Sequence, residues 1–268
     1  MKTQPFKTAI ISTVANFDLY QKSSIYFPSN VCRYVIDGRN GMYSLDSILY
    51  IFKVLKGKGI KWLIMADEDV VFQNSSKVFE VIEYMEKNSY HYCGVREGGV
   101  IPHRIYNPHA INTFFSILHF SEIEKEFNKR EVVQNQYINP KEFNDDLSSL
   151  DGPFDETSLF EPYYCFYFWL KRKGFNFLPL EADLPFPGDE LTTAVYTPQG
   201  DLLLYHTWYA RAYGVIEKHT MRIDKVLKLA PATELKNEKP IILKSRNFGW
   251  KLKLRKTYKK IKMKFKSK

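Results

Sequence analysis

"IKWLIMADEDVVFQNSS", Ile60 to Ser76, is the stretch on which the reading of this chain turns. An apolar run fills Trp62 to Ala66, three acids follow at Asp67, Glu68 and Asp69, and apolar residues resume at Val70. A short run of this kind predicts a buried strand from Ile60 to about Ala66. On extended chain, side chains alternate, so Asp67 and Asp69 point one way and can share a target. Glu68 points the other way and is expected to be replaceable. Adjacent like charges are costly unless a cation joins them, and the hard cations that prefer carboxylate oxygen are Mg²⁺, Mn²⁺ and Ca²⁺. A solvated turn after a strand is the competing account. The apolar flanks "WLIMA" and "VVF" put the triplet at a protected edge, and on these residues alone the two accounts stand level.

Working outward, "KTAIISTVANFD" and "VCRYVIDGRNG" read as two further buried strands, the first ended by Asn16 and Asp18, the second by an Asp-Gly turn. In "MYSLDSILYIFKVLKGKG", Leu45, Ile48, Leu49, Phe52 and Leu55 recur at three- and four-residue steps, which predicts a helix ended by Gly57 and Gly59. "SSKVFEVIEYMEKN" supplies another. Strand, strand, helix, strand, helix is the rhythm of an α/β, Rossmann-like sheet, mainly parallel and flanked by helices, in which ligands bind outside the carboxyl ends of the strands. By that topology Thr13, Val14 and Asn16 after the first strand, and Asp37, Arg39 and Asn40 after the second, are candidates for nucleotide contacts. Beyond Tyr90 the pattern loosens. "INTFFSILHFSEIEKEF" reads as an aromatic-rich segment running into a helix, and "NKREVVQNQYINPKEFNDDLSSLDG" as a long polar connection. "EPYYCFYFWLKRKG" reads as a helix with Pro162 in its first turn and Gly174 past its end. "FNFLPLEAD" and "GDLLLYHTWY" read as later strands. Gly98 and Gly99 mark either a loop able to close on ligand or a plain turn.

With 268 residues, 44% of them hydrophobic, the chain can build a substantial core, and no apolar run is long enough to span a bilayer. "MKTQPFKTAIISTV" lacks the pattern of a secretory signal. Cys32, Cys93 and Cys165 are odd in number and widely spaced, which fits reduced thiols in a cytoplasmic protein better than disulfides or a zinc site. The net charge of +9 is unevenly placed. Twelve of the 39 Lys and Arg lie from Lys244 onward with no acid among them, leaving 27 bases against all 30 acids before it.

The segment "IKWLIMADEDVVF" resembles the DxD segment of GT-A fold glycosyltransferases, placed after the third strand of a nucleotide-binding half. The resemblance implies that Asp67 contacts the donor ribose or the metal, and that Asp69 holds a divalent ion, Mn²⁺ or Mg²⁺, on the donor diphosphate. "GPFDETSLFEPYYCFYFWLKRKG" is similar to the acceptor side of family-2-type members, matching at Gly152, Phe154, Asp155, Glu156, Glu161, Arg172 and Gly174. Those enzymes usually carry Glu-Asp, the Asp being the catalytic base. Here Pro162 follows Glu161, so Glu161 or Asp155 stands as the candidate base. A base is needed because sugar transfer passes through an oxocarbenium-like state while the acceptor hydroxyl loses its proton. Asp155, Glu156 and Glu161 equally suit a helix N-terminus. His206, late in the chain, is the candidate third ligand that such enzymes often supply, and Arg211 a candidate phosphate partner. Packed core histidine and surface base are the plainer accounts of those two.

The resemblance thus implies a metal-dependent transferase of the hexosyl type. Residues 1–243 would form its catalytic domain, with a nucleotide-binding half to about residue 100 and an acceptor half from about 101. Its partners would be a nucleotide-sugar donor and a glycan or lipid-linked acceptor, in surface polysaccharide or lipopolysaccharide assembly. Residues 244–268 interleave Phe248, Trp250, Leu252, Leu254, Tyr258, Ile261, Met263 and Phe265 with the bases. That composition suits peripheral docking on an anionic membrane, at its inner face for a cytoplasmic protein. Its mixed spacing fixes neither helix nor strand. A nucleic-acid arm would not need the bulky apolar residues. Two other function classes stay open, a metal-dependent phosphotransferase acting on nucleic acid and a non-enzymatic membrane-binding module.

Overall fold

The structure, a computed structural model, describes residues 8–231 and 239–266, with side chains to Tyr258 at the C-terminal end. Met1 to Lys7 and the side chains of Ile261, Met263 and Phe265, on which expectations above rest, lie outside the description. The first half runs β1 (Thr8–Val14), α1 (Phe17–Ser23), β2 (Cys32–Asp37), α2 (Leu45–Leu55), β3 (Trp62–Ala66), β4 (Val70–Phe72), α3 (Lys77–Lys87), β5 (Tyr92–Arg96), β6 (Ile111–Leu118) and α4 (Phe120–Glu126). The second runs α5 (Lys129–Gln134), α6 (Tyr164–Arg172), β7 (Phe177–Pro179), β8 (Ala182–Asp183), β9 (Thr193–Tyr196), β10 (Leu202–His206), α7 (Glu217–Leu227), β11 (Ile241–Leu243) and α8 (Phe248–Lys266).

Seven strands form the main sheet in the order β11-β2-β1-β3-β6-β5-β7. β11, β2, β1 and β3 are parallel neighbours, β6 runs antiparallel to β3 and to β5, and β7 is parallel to β5. The fold is therefore mixed α/β, a mainly parallel sheet flanked by helices. Alternation along each strand builds two cores. Ile10, Val14, Trp62 and Ile64 face α1, α3 and α7, while Ala9, Ile11, Leu63 and Met65 face α2, α4 and α6. Every residue of α6 from Tyr164 to Leu170 is buried, so this helix is apolar all round.

A second sheet, antiparallel in the order β4-β10-β9-β8, branches off directly after the acidic triplet. It determines what the triplet can meet.

The expected elements to Lys87 are present, with β3 beginning at Trp62 rather than Ile60. The long polar connection contains α5, capped by Asn128 Oδ1, which accepts from the amides of Arg130 and Glu131. Six residues with a single buried side chain, Val132, leave no period to read. Cys93 and Cys165 are buried free thiols, and Cys32 is half-buried and packed against the core. The Gly98–Gly99 segment is a packed hairpin rather than an open loop. Gly98 bridges Ile105 and has no room for a Cβ beside the Tyr106 carbonyl, and Gly99 packs on Leu150. No described helix is long and apolar enough to cross a membrane.

Candidate metal and substrate site

β3 ends at Ala66, and the triplet that follows is a tight turn, closed by the Val70 amide donating to the Asp67 carbonyl at 3.2 Å. The Asp67 amide donates to the Phe114 carbonyl of β6 at 2.8 Å. The chain then enters β4, whose Val70 pairs with His206 at the end of β10. The Thr207 amide donates to the Asp69 carbonyl at 3.1 Å, which locks the two segments together. As a result His206 Nε2 lies 3.3 Å from Asp69 Oδ1, and one ligand atom from each of Asp67, Asp69 and His206 falls within 4.8 Å of the others.

The His206 ring stacks on Phe114, centroids 4.1 Å apart and planes 12° apart, with Trp208 against its edge. Its Nδ1 is buried with no hydrogen-bond partner among the described residues. Burial, then the charges of Asp69 and Glu68, push the Asp67 carboxyl well above the ordinary carboxylate range, against the pull of Arg211. Two carboxylates and an imidazole, crowded where water is scarce, form a donor set suited to a hard or borderline divalent cation. The residues fit such an ion.

The triplet lies at one end of a cleft of about 1110 Å³ at the carboxyl ends of β1 and β3. Thr13, Asp67, Asp69, Glu161, His206 and Arg211 all line it. Arg211 sits over the Tyr43 ring at 5.0 Å. Glu161, also in the lining, is half-buried, and burial raises its carboxyl while Arg104 draws it down. Arg104 Nη2 stands 3.9 Å from Glu161 and 2.5 Å from Glu97, a fully buried acid that also accepts a very short hydrogen bond from the Tyr163 hydroxyl. Glu97 thus fixes Arg104 beside the candidate base. The sequence reading passed over Glu97 and Arg104. An acid immediately after the apolar strand "HYCGVR" repeats the signature of the triplet and could have flagged the pair.

Other candidates are placed differently. Asp155 lies outside the cleft lining, and its carboxylate closes its own turn, accepting from the Thr157 amide and hydroxyl at 2.9 and 2.7 Å. Asp37 and Arg39 also lie outside the lining, and they engage each other through two bonds of 2.8 and 2.7 Å. That bond from Arg39 holds Asp37 below its usual pKa. Val14 is buried in the core. Asn16 caps α1 and donates to the carbonyls of Ala210 and Tyr213 at 3.0 and 2.9 Å, so it positions the Arg211 loop from outside the cleft. Arg172 is tied to Glu142 and Asn135.

Glu68 is the main correction. It points away from Asp67 and Asp69 as expected, but it is buried, and its Oε1 accepts from the amides of Ala15 and Asn16 at 3.0 and 3.2 Å, a task that argues against its being replaceable. Burial and the Asp69 charge push it up to about 7, against those amide bonds. The directions read from alternation are kept although Asp67 to Asp69 form a turn, since Asp67 and Asp69 converge with His206 while Glu68 goes to the loop after β1; alternation does not reveal the backbone amides that Glu68 meets there.

The C-terminal segment closes one rim. β11 joins the main sheet beside β2, and Phe248 at the start of α8 is buried. Arg255 of α8 makes two 3.1 Å bonds with Asp46 of α2, and Leu252, Arg255 and Lys256 line the cleft.

No protein-family model matches the sequence, and no curated protein matches it. Among solved structures the chain is similar to A197 from STIV, at 12% identity and a TM-score of 0.35, over 74% of this chain and 93% of that one. It is also similar to the mannosyltransferase PcManGT from Pyrobaculum calidifontis, solved with GDP-Man and Mn²⁺, at 8% identity and a TM-score of 0.28. That likeness covers 47% of each chain, about half the length of the mannosyltransferase. Likenesses this distant decide nothing about chemistry, which rests on the residues above.

Proposed function

We propose that the chain is a metal-dependent glycosyltransferase of the GT-A type, moving a sugar, a hexose in our reading, from a nucleotide-diphosphate donor to a glycan or lipid-linked acceptor. The observation that carries this is the Asp67–Asp69–His206 group, set at the carboxyl end of a parallel strand in a cleft large enough for a nucleotide sugar. These three side chains would hold Mn²⁺ or Mg²⁺. When bound, such an ion supplies Lewis-acid stabilisation to the diphosphate as it leaves. Arg211, on the same wall, donates to phosphate oxygens. Glu161, its carboxyl raised by burial, takes the proton of the acceptor hydroxyl, and Arg104 orients it.

In the same reading, α8 keeps the enzyme at the inner face of a membrane during surface polysaccharide or lipopolysaccharide assembly. Trp250, Leu254 and Tyr258 recur every four residues and are exposed, which makes one apolar stripe on a helix rich in bases. Each base near an anionic surface contributes roughly 1 kcal/mol.

The test is a thermal-shift panel of UDP, GDP, CDP and their sugars with and without Mn²⁺, on the wild type and Asp69→Asn. Stabilisation by one diphosphate only when metal is present, and its loss together with donor hydrolysis in the variant, are the expected results. Undiminished turnover by Asp69→Asn overturns the metal assignment.

A further inference from the structure

A second hollow, of about 900 Å³, lies between α2 and α8. Its apolar lining is formed by Leu49 and Phe52 of α2, Phe127, and Phe248 and Leu254 of α8. Exposed bases share that lining: Lys53 in the last turn of α2, Lys56 just past its end, Lys129 from α5, and Lys251 from α8. None of these four lysines makes an ion pair among the described residues. Asp46, the acid in the lining, is already held by Arg255 through two bonds of 3.1 Å. Apolar walls under unneutralised cations complement an elongated apolar chain with an anionic head. The hollow adjoins the metal cleft, since Met42, Asp46 and Arg255 line both.

We infer that this groove binds the hydrocarbon chain of a phosphate-linked lipid, with the phosphate among the lysines and the head directed into the cleft. A lipid occupant explains two features together. The apolar walls would be a liability if left to water. The lysines repel one another until an anion sits between them. The size falls within the range of small-molecule sites, and burial of each methylene is worth about 0.8 kcal/mol. The inference rests on the transferase reading for the role of the bound lipid as acceptor, though not for the binding itself.

The experiment is calorimetric titration of the full chain with dodecyl phosphate below its micelle-forming concentration. Parallel arms use inorganic phosphate, dodecyltrimethylammonium and poly-glutamate. Saturable binding of dodecyl phosphate is expected, at least tenfold tighter than any of the other three. Lys53→Glu combined with Lys56→Glu should weaken it at least tenfold, as should Leu254→Asp. All three substitutions are at exposed positions, and the variants should keep the nucleotide-with-Mn²⁺ thermal shift. Equal binding of the cationic amphiphile or of phosphate alone, preference for poly-glutamate, or indifference to the substitutions overturns the proposal. If the nucleotide shift is absent in the wild type while dodecyl phosphate still binds, the transferase reading falls and the groove stands.

Discussion

Replacing Glu68 with alanine tests most directly how the site is built. The sequence gives this residue no task, whereas the structure makes it the tie between the β3 turn and the loop after β1. Glu68→Ala removes one acceptor shared by two amides, those of Ala15 and Asn16, which are partly buried. An orphaned buried donor costs about 1–3 kcal/mol. Because water can reach these two in part, the low end applies, about 1 kcal/mol each, with up to about 1 kcal/mol more for the space vacated. The sum, about 2–3 kcal/mol, corresponds to a fall in melting temperature of roughly 5–10 °C for a chain of this size. Glu68→Gln keeps an acceptor oxygen at the same place and should cost less than about 1 kcal/mol. The effect should also reach the ligand. Asn16 holds Ala210 and Tyr213 on either side of Arg211, so slackening its loop should weaken nucleotide binding with Mn²⁺ about tenfold in Glu68→Ala and little in Glu68→Gln. Urea unfolding and nucleotide titration measure both quantities. Equal stability of Glu68→Ala and wild type, or equal damage by both substitutions, would refute the reasoning, the second by showing that charge matters and the acceptor does not.

Glu161→Gln should lower kcat by about 10²–10⁴ while leaving donor affinity and melting temperature near wild type, as measured by steady-state kinetics and thermal shift. Burial alone would raise Asp145, but the hydrogen bond with His109 and the Lys171 ammonium outweigh it and hold the carboxyl well below its ordinary value of 3.8. Its stabilisation is therefore complete above pH 3.8 and is lost as pH falls toward the folded value, so Asp145→Asn should flatten the acid limb of stability against pH. At neutral pH that variant should lose about 3 kcal/mol, because Lys171 is left buried without its partner. Gly41 has φ +89°, and a Cβ there would sit 2.9 Å from Leu252 of α8. Gly41→Val should cost about 1–2 kcal/mol and speed proteolytic cleavage in residues 244–258, whereas unchanged cleavage would mean that α8 does not depend on this turn.

The legible parts of the fold were those with a long apolar period. The apolar steps of α2 and the β-rich runs of β1, β2 and β3 each bury a continuous face, and burial writes itself into local sequence. No element is read from the sequence for α1, β4, β5, α5, β9, α7 or β11, most of which are too short to show a period. β11 has three residues and two of them are exposed, so it is a strand by virtue of its hydrogen bonds to β2. At the site, acids at the end of an apolar strand single out Asp67 and Asp69 as candidates, whereas His206 follows an apolar run but is singled out only by the resemblance. What the sequence could not supply was the turn. Period-two alternation gives the direction of the three side chains but not the turn, closed by the Val70 amide on the Asp67 carbonyl, nor the Ala15 and Asn16 amides that Glu68 meets on its own side. Glu97 carries the same end-of-strand signal, but its pairing with Arg104 carries none, because the two residues share no period.

The backbone around the triplet explains how three acids can sit together in the fold before any cation arrives. The Asp67 amide donates to Phe114, the Glu68 carbonyl accepts from the Ser23 hydroxyl at 2.7 Å, and the Asp69 carbonyl accepts from Thr207. Each link goes to a different element, from β6 to the end of α1 to the segment after β10. The backbone of the triplet is therefore fixed by bonds that do not involve the Asp67 and Asp69 side chains, Glu68 is tied in addition through its carboxylate to the Ala15 and Asn16 amides, and the mutual repulsion of the three acids is borne by the rest of the fold. A divalent ion that relieves it has little left to reorganise, so its binding energy goes almost entirely into stability. At a hundredfold excess over its dissociation constant an ion bound only to the folded state adds about 2.7 kcal/mol. Most of that gain should vanish in Asp69→Asn, which keeps every backbone bond of the turn while removing one of the two charges that face His206.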